Sequence, residues 1–293
     1  MVMTKLNPYA KSNHLILPAP LAGWTDYGFR TVLVACGAGE IWTEMINATA
    51  LARGNAKTIA MLKTESYDDV YQVVQLFGRE PADFATVIQS GMLDAYDEIN
   101  LNMGCPAPKI VKNHCGCALM RDLERARHLI TVCRNALTGK HQHLSVKFRL
   151  GWDKNIAVEF AQMCEQAGAE RIIVHGRLGV DGYRGVADYQ ALAAVKQAVA
   201  IPVIANGDIR DRASYEQCLA VTKADGVMVG RALCGAPWKI KLDDQVPTYE
   251  RIIELMQLQR AKHNANPHDL IKHWLCYQKQ LKKYYPEQPV PSL

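Results

Sequence analysis

Short apolar runs alternate with stretches of helical spacing along most of the chain. The strand-like runs are His14–Pro20, Glu40–Ile46, Tyr71–Phe77, Tyr96–Leu101, Leu144–Leu150, Arg171–His175, Pro202–Asn206 and Gly226–Val229. Between them, apolar residues recur every three to four positions. This spacing predicts helices over Leu119–Leu137, Ile156–Ala167 (through Val158, Phe160 and Met163), Tyr189–Val199 and Ala213–Val221. Eight strands alternating with helices, over roughly the ~250 residues usual for the fold, predict an α/β protein of the (β/α)8 barrel type. A doubly wound open sheet is the other architecture with this alternation. It lacks support here, because no Gly-x-Gly-x-x-Gly turn follows the first strand.

The pattern changes after residue 233. Residues 1–233 read as the barrel and 234–247 as a linker holding Gly235, Pro237 and Pro247; 248–293 reads as a short all-helical domain. Thr248 stands where an N-cap belongs, ahead of Ile252, Leu255 and Met256. Asn264-Ala265-Asn266-Pro267 interrupts that helix. A second one, Asp269–Tyr285, carries Leu270, Ile271, Trp274, Leu275, Gln278 and Leu281 on one face.

Composition adds little beyond a globular protein. No apolar run has the length of a membrane span, and Met1–Ser12 lacks the apolar core of a secretory signal. Nine cysteines, an odd number scattered through an α/β pattern, point to reduced thiols and a cytoplasmic protein. A monomer without a membrane partner is expected. The formal net charge is +5. From Lys239 to Leu293 there are 9 Lys/Arg and 6 Asp/Glu, so +3 of it lies in the helical tail. That bias suits a phosphate backbone, and it suits a solvated helix face equally well.

Candidate chemistry collects where the strands end, which in such barrels is the active-site face. The fourth strand runs into Asn102-Met103-Gly104-Cys105-Pro106, where a glycine and a proline bracket a thiol. Alone, Cys105 reads as a packing residue; its neighbours change that. Lys147 and Arg149 lie two residues apart, on one face of the fifth strand. If that face were the outer one, Val146 and Phe148 would have to fill the barrel interior. Two cations facing inward call for an anion. His175 ends the sixth strand, Asn206-Gly207-Asp208 the seventh and Gly230-Arg231 the eighth; the last two loops are where barrels commonly hold phosphate. A phosphate there, with a cation and an imidazole deeper in the mouth, suits non-covalent FMN. No metal is expected. Cys115-Gly116-Cys117 leaves one residue between its thiols, against the two to four of zinc pairs.

These motifs, in this order, resemble the tRNA-dihydrouridine synthases. Pro20-Leu21-Ala22-Gly23-Trp24-Thr25-Asp26 is similar to the family's opening segment, with Leu21 and Trp24 in place of its usual Met and Val. Val74-Gln75-Leu76-Phe77-Gly78 and Asn102-Met103-Gly104-Cys105-Pro106-Ala107-Pro108-Lys109 are similar to its glutamine and catalytic-cysteine segments. Val146–Trp152, Val174–Arg177, Ile204–Asp208 and Val229–Arg231 follow, so the similarity runs from about Leu17 to Ala232. The resemblance implies that Pro20, Leu21, Ala22, Gln75, Lys147, His175, Asn206, Gly207, Asp208, Gly230 and Arg231 hold FMN. It implies that Cys105 is the general acid, that Asn102 and Arg149 orient the uracil, and that Lys109, Arg177 and Arg184 lie near tRNA. It further implies reduction of uridine to 5,6-dihydrouridine with NADPH as reductant. Gly182-Tyr183-Arg184-Gly185 looks most like the branch acting at position 16 of tRNA. The alternatives are an FMN-dependent reductase of a free small molecule, of dihydroorotate or enoate type, a dihydrouridine synthase acting on ribosomal RNA, and a non-catalytic RNA-binding barrel. The family normally ends in about four helices; this chain offers two.

Overall fold

The computed structural model describes residues 15–293. The expected strand start at His14 and the reading of Met1–Ser12 lie outside them. The strands are β1 (Leu15–Pro18), β2 (Glu40–Asn47), β3 (Tyr71–Phe77), β4 (Glu98–Met103), β5 (His143–Arg149), β6 (Arg171–His175), β7 (Val203–Asn206) and β8 (Gly226–Val229). All pair in parallel in the order β2-β3-β4-β5-β6-β7-β8-β1, and β1 lies beside β2 to bring the ring almost to closure. The helices are α1 (Tyr27–Ala35), α2 (Ala48–Ala52), α3 (Ala56–Ala60), α4 (Pro81–Gln89), α5 (Pro108–Lys112), α6 (Leu123–Ala136), α7 (Ala157–Gln166), α8 (Tyr189–Ala198), α9 (Arg212–Thr222), α10 (Tyr249–Lys262) and α11 (Pro267–Tyr284).

The helix expected over Leu119–Leu137 is divided. A 3₁₀ turn covers Gly116–Arg121, and α6 then starts afresh because the Asp122 carboxylate caps it, accepting from the backbone N–H of Arg125 at 3.0 Å. Thr248 caps α10 as its position predicted. The second C-terminal helix starts two residues before the expected Asp269, with Pro267 in its first turn and Asn266 as the cap.

Period-two alternation sorts the strand side chains into two layers. Val146 and Phe148 face the helices, where Phe148 packs on Phe160 with ring centroids 4.9 Å apart. Leu17, Trp42, Tyr71, Val73, Ile173, Ile204 and Met228 fill the interior. The interior is not wholly apolar. At its floor Arg171 lies fully buried between Glu40 and Glu98, donating to them at 2.7 and 2.8 Å. The Trp42 indole N–H also reaches Glu40, at 2.7 Å.

The last helices share the barrel's core. Ile252, Leu255, Met256, Trp274, Tyr277 and Leu281 are buried in the same cluster as the outer layer, and α10 packs along α1. The segment expected as a linker packs too: Pro237–Lys241 is a 3₁₀ turn, with Trp238, Ile240 and Leu242 buried.

Candidate active site

A cavity of about 830 Å³ opens at the C-terminal ends of the strands. Of the residues singled out from the sequence, all but Lys109, Arg177 and Arg184 line it. Apolar walls come from Ala19, Leu21, Met45 and Met228, and polar groups converge from β3 to β8.

Cys105 is held from several sides. Gly104 crosses β5 so closely that a side chain there would meet the Phe148 Cα at 3.1 Å. This approach brings the Gly104 carbonyl to the Nε–H of Arg149, at 3.0 Å. Asn102 Oδ1 accepts the backbone N–H groups of Gly104 and Cys105, at 3.2 and 2.9 Å. The Cys105 carbonyl accepts from the backbone N–H of Cys117 at 2.9 Å, so the Cys115-Gly116-Cys117 turn braces the loop from behind. Burial raises the Cys105 thiol pKa, against weaker opposing effects of the Ala107 N–H and the charges of Arg149 and Lys147. The group is therefore a protonated thiol at neutral pH.

Lys147 and Arg149 both face inward. Lys147 Nζ donates to Asn206 Oδ1 at 3.0 Å, and Asn206 Nδ2 donates in turn to the Met228 carbonyl at 2.8 Å. Burial, and then the charge of Arg149, pull Lys147 down to about 7. Burial lowers His175 far below its ordinary value, helped by Lys147, Arg149, Arg177 and Arg231, so the imidazole is neutral. Its buried Nδ1 has no hydrogen-bond partner among the described residues.

Two of the arginines expected at the substrate also make contacts within the protein. Beyond Gly104, Arg149 donates through Nη1 to the carbonyls of Leu178 at 2.9 Å and Gly182 at 2.8 Å, so most of its guanidinium ties loops together. Arg177, expected near RNA, is 3% exposed; it donates to the carbonyls of Arg184 and Gly185 and pairs with Asp208 at 2.7 Å. Arg184 and Lys109 are exposed beside the mouth. Tyr183 lines the cavity, 59% exposed, with its ring 5.0 Å from the Arg231 guanidinium and 5.7 Å from that of Arg149. The sequence carried a signal for it: an aromatic between two nearby glycines in a βα loop. Trp24, from the opening segment singled out in the sequence, also lines the cavity, as does Met45, which had no comparable local signal.

The family model for Dihydrouridine synthase (Dus) matches residues 17–284. A probable tRNA-dihydrouridine synthase of Rhodobacter capsulatus is 39% identical over 227 residues, which is 77% of this chain and 69% of that protein. The tRNA-dihydrouridine synthase B of Pseudomonas aeruginosa is 35% identical over 255 residues, covering 86% of this chain and 75% of that one. Among solved structures, FabK from Thermotoga maritima aligns with a TM-score of 0.49 at 18% identity, over 81% of this chain and 64% of that chain. The present chain thus spans less than two thirds of that protein's length.

Proposed function

The chain belongs to the dihydrouridine synthase family, and we propose that it reduces a uridine of tRNA to 5,6-dihydrouridine, with FMN in the cavity and Cys105 as the acid. The observation that carries this reading is the meeting of a protonated Cys105 thiol with Lys147, Arg149 and neutral His175 in one cavity.

The residues present fit FMN. Leu21, Met45 and Met228 offer apolar surface for a planar ring, while Gln75, Lys147 and His175 offer polar atoms along its edge. Asn206, Gly207, Gly230 and Arg231 would hold the phosphate. When bound and reduced by NADPH, FMN supplies hydride to C6 of the uracil.

The chain's own groups do the rest. Cys105 gives its proton to C5. A thiol kept above its ordinary pKa holds that proton at neutral pH until the base arrives. Lys147, poised near 7, gains charge beside an anion and stabilises it. Asn102 and Arg149 fix the loop that carries the thiol, and the Nη2 group of Arg149 is left to meet the base. A stacked base cannot reach this depth, so the target uridine must leave its stack. Lys109 and Arg184 at the rim, with the basic helical tail, would take the phosphate backbone. Arg177 supports the rim from below through Asp208.

The test is Cys105→Ala. The purified variant keeps its yellow flavin, while dihydrouridine formation falls by about 10²–10⁴-fold, the usual size of a general-acid contribution. Position-mapped nucleoside mass spectrometry on RNA from cells with and without the protein reads the product and names its site. Undiminished product from the variant removes Cys105 from the acid role.

A further inference from the structure

A row of polar side chains crosses the barrel interior in register. Gln75 on β3, Asn100 on β4, Ser145 on β5 and Arg171 on β6 are direct neighbours on successive strands. Asn100, Ser145, Glu98 and Arg171 are fully buried and lie outside the cavity wall. The mechanism above does not use them.

Their hydrogen bonds form one chain with a fixed direction. At the floor, Arg171 holds Glu98, so the carboxylate can only accept. The Ser145 hydroxyl gives its single proton to Glu98. Ser145 Oγ must therefore accept from Asn100, whose Nδ2 lies at 2.6 Å. Asn100 then turns its oxygen to Gln75, which donates from Nε2 at 2.7 Å. Gln75 in turn offers Oε1 to Asn102 Nδ2 at 2.8 Å. Asn102 is left with its oxygen toward the backbone N–H groups of Gly104 and Cys105. The far end has the same polarity, because a backbone N–H can only donate. A carboxylate at the floor and two amide protons at the mouth thus fix the orientation of three side-chain amides between them.

We propose that Ser145 and Asn100 are positioning residues for Cys105: they lock the amides of Gln75 and Asn102 in the one orientation that holds the Cys105 loop. Losing the Ser145 hydroxyl removes the floor anchor: Asn100 can turn over, and the orientation of Gln75 and Asn102 then rests on the two loop N–H groups alone. The Cys105 loop is held from one end instead of two, and its thiol is less firmly placed. The catalytic part of the inference rests on Cys105 being the acid; the structural part does not.

The experiment uses Ser145→Ala and Asn100→Asp in the full-length protein. An aspartate keeps the shape of asparagine, and in its ionised form, read at the high-pH end of the alkylation profile, it cannot donate to Ser145. The first readout is the rate of iodoacetamide alkylation at Cys105 against pH, followed on the Cys105 peptide by mass spectrometry. The second is kcat and KM for dihydrouridine formation. The proposal expects a shifted alkylation profile and a kcat lowered on the order of ten- to a hundredfold with KM little changed, as for a displaced reacting group. A variant that only unfolds more easily, with profile and kcat as in wild type, overturns it. If Ser145→Ala shows no cooperative unfolding transition, Asn100→Asp decides by the same two readouts. Wild-type protein that makes no dihydrouridine sinks the functional reading instead, and the alkylation profile still judges the chain of hydrogen bonds.

Discussion

Trp24 and His273 meet edge to face, their ring centroids 4.6 Å apart. Trp24 belongs to the loop after β1 that walls the cavity, and His273 belongs to α11. The C-terminal helix therefore supports the roof of the site from outside. Beside this contact, a side chain at Gly23 would meet the Asp269 carboxylate at 3.1 Å. Asp26, which caps α1, faces His263 at 2.5 Å. The short helical tail is thus built into the wall of the site.

That contact predicts a pH dependence. Burial pulls His273 from its ordinary 6.5 to about 3, with His263 and Lys272 pushing the same way and Asp269 opposing. The unfolded chain takes a proton below about 6.5, and the folded chain does not until near 3. The stability from this group is complete above pH 6.5 and is lost as the pH falls toward 3. The limiting slope is about 1.4 kcal/mol per pH unit. Urea unfolding at pH 7 and pH 5 measures it. His273→Phe, which keeps a ring beside Trp24, lessens the pH slope; equal slopes in both proteins count against the assignment.

Lys147 predicts proton uptake on ligand binding. An ammonium near 7 is largely neutral at pH 8, and a nearby anion restores its charge. Binding of the proposed FMN at pH 8 is therefore expected to take up close to one proton per site. Calorimetry in buffers of different ionisation enthalpy counts it. Lys147→Met abolishes the uptake and weakens binding; uptake that persists in that variant excludes Lys147 as its source.

Arg171→Met leaves Glu40 and Glu98 facing each other in the barrel floor. Removing one partner of a buried ion network typically costs about 3–5 kcal/mol. Burial already raises the Glu40 pKa, chiefly against the pull of Arg171. The loss should appear in chemical denaturation, and part of it should return at low pH, where the carboxyls protonate. A loss below about 1 kcal/mol would mean that the network is not a net support of the fold.

Gly28→Val tests how the helical hairpin docks. A Cβ at Gly28 would stand 2.8 Å from the Gln259 carbonyl and 3.0 Å from the backbone nitrogen of His263, so α1 and α10 touch backbone to backbone there. Overpacking of this kind typically costs about 1–3 kcal/mol. Limited proteolysis around residues 264–266 is expected to quicken. An unchanged cleavage rate would show that the hairpin is held from elsewhere.

Much of the architecture was legible along the chain because period two and period 3.6 are local properties. Tyr71–Phe77, Arg171–His175 and Gly226–Val229 begin and end where the apolar runs do. Lys147 and Arg149 face inward for the reason their spacing implied, since Val146 and Phe148 take the outer layer. The motif loops gather at one mouth because parallel strands all end there. Other features had no local signal. Arg171 and Glu40 are 131 residues apart, and an isolated strand sequence does not say which charges meet at a barrel floor. Arg177 looks like an RNA contact from its motif, but the Gly207–Asp208 turn buries it. Whether Arg149 reaches outward or ties loops depends on carbonyls at Gly104, Leu178 and Gly182, which three separate loops bring together. The His273 support of Trp24 requires a helix at the end of the chain to fold back on its first loop. Side-chain periodicity settles which face a residue takes; the partner it meets there depends on strand register and chain closure, which are properties of the whole fold.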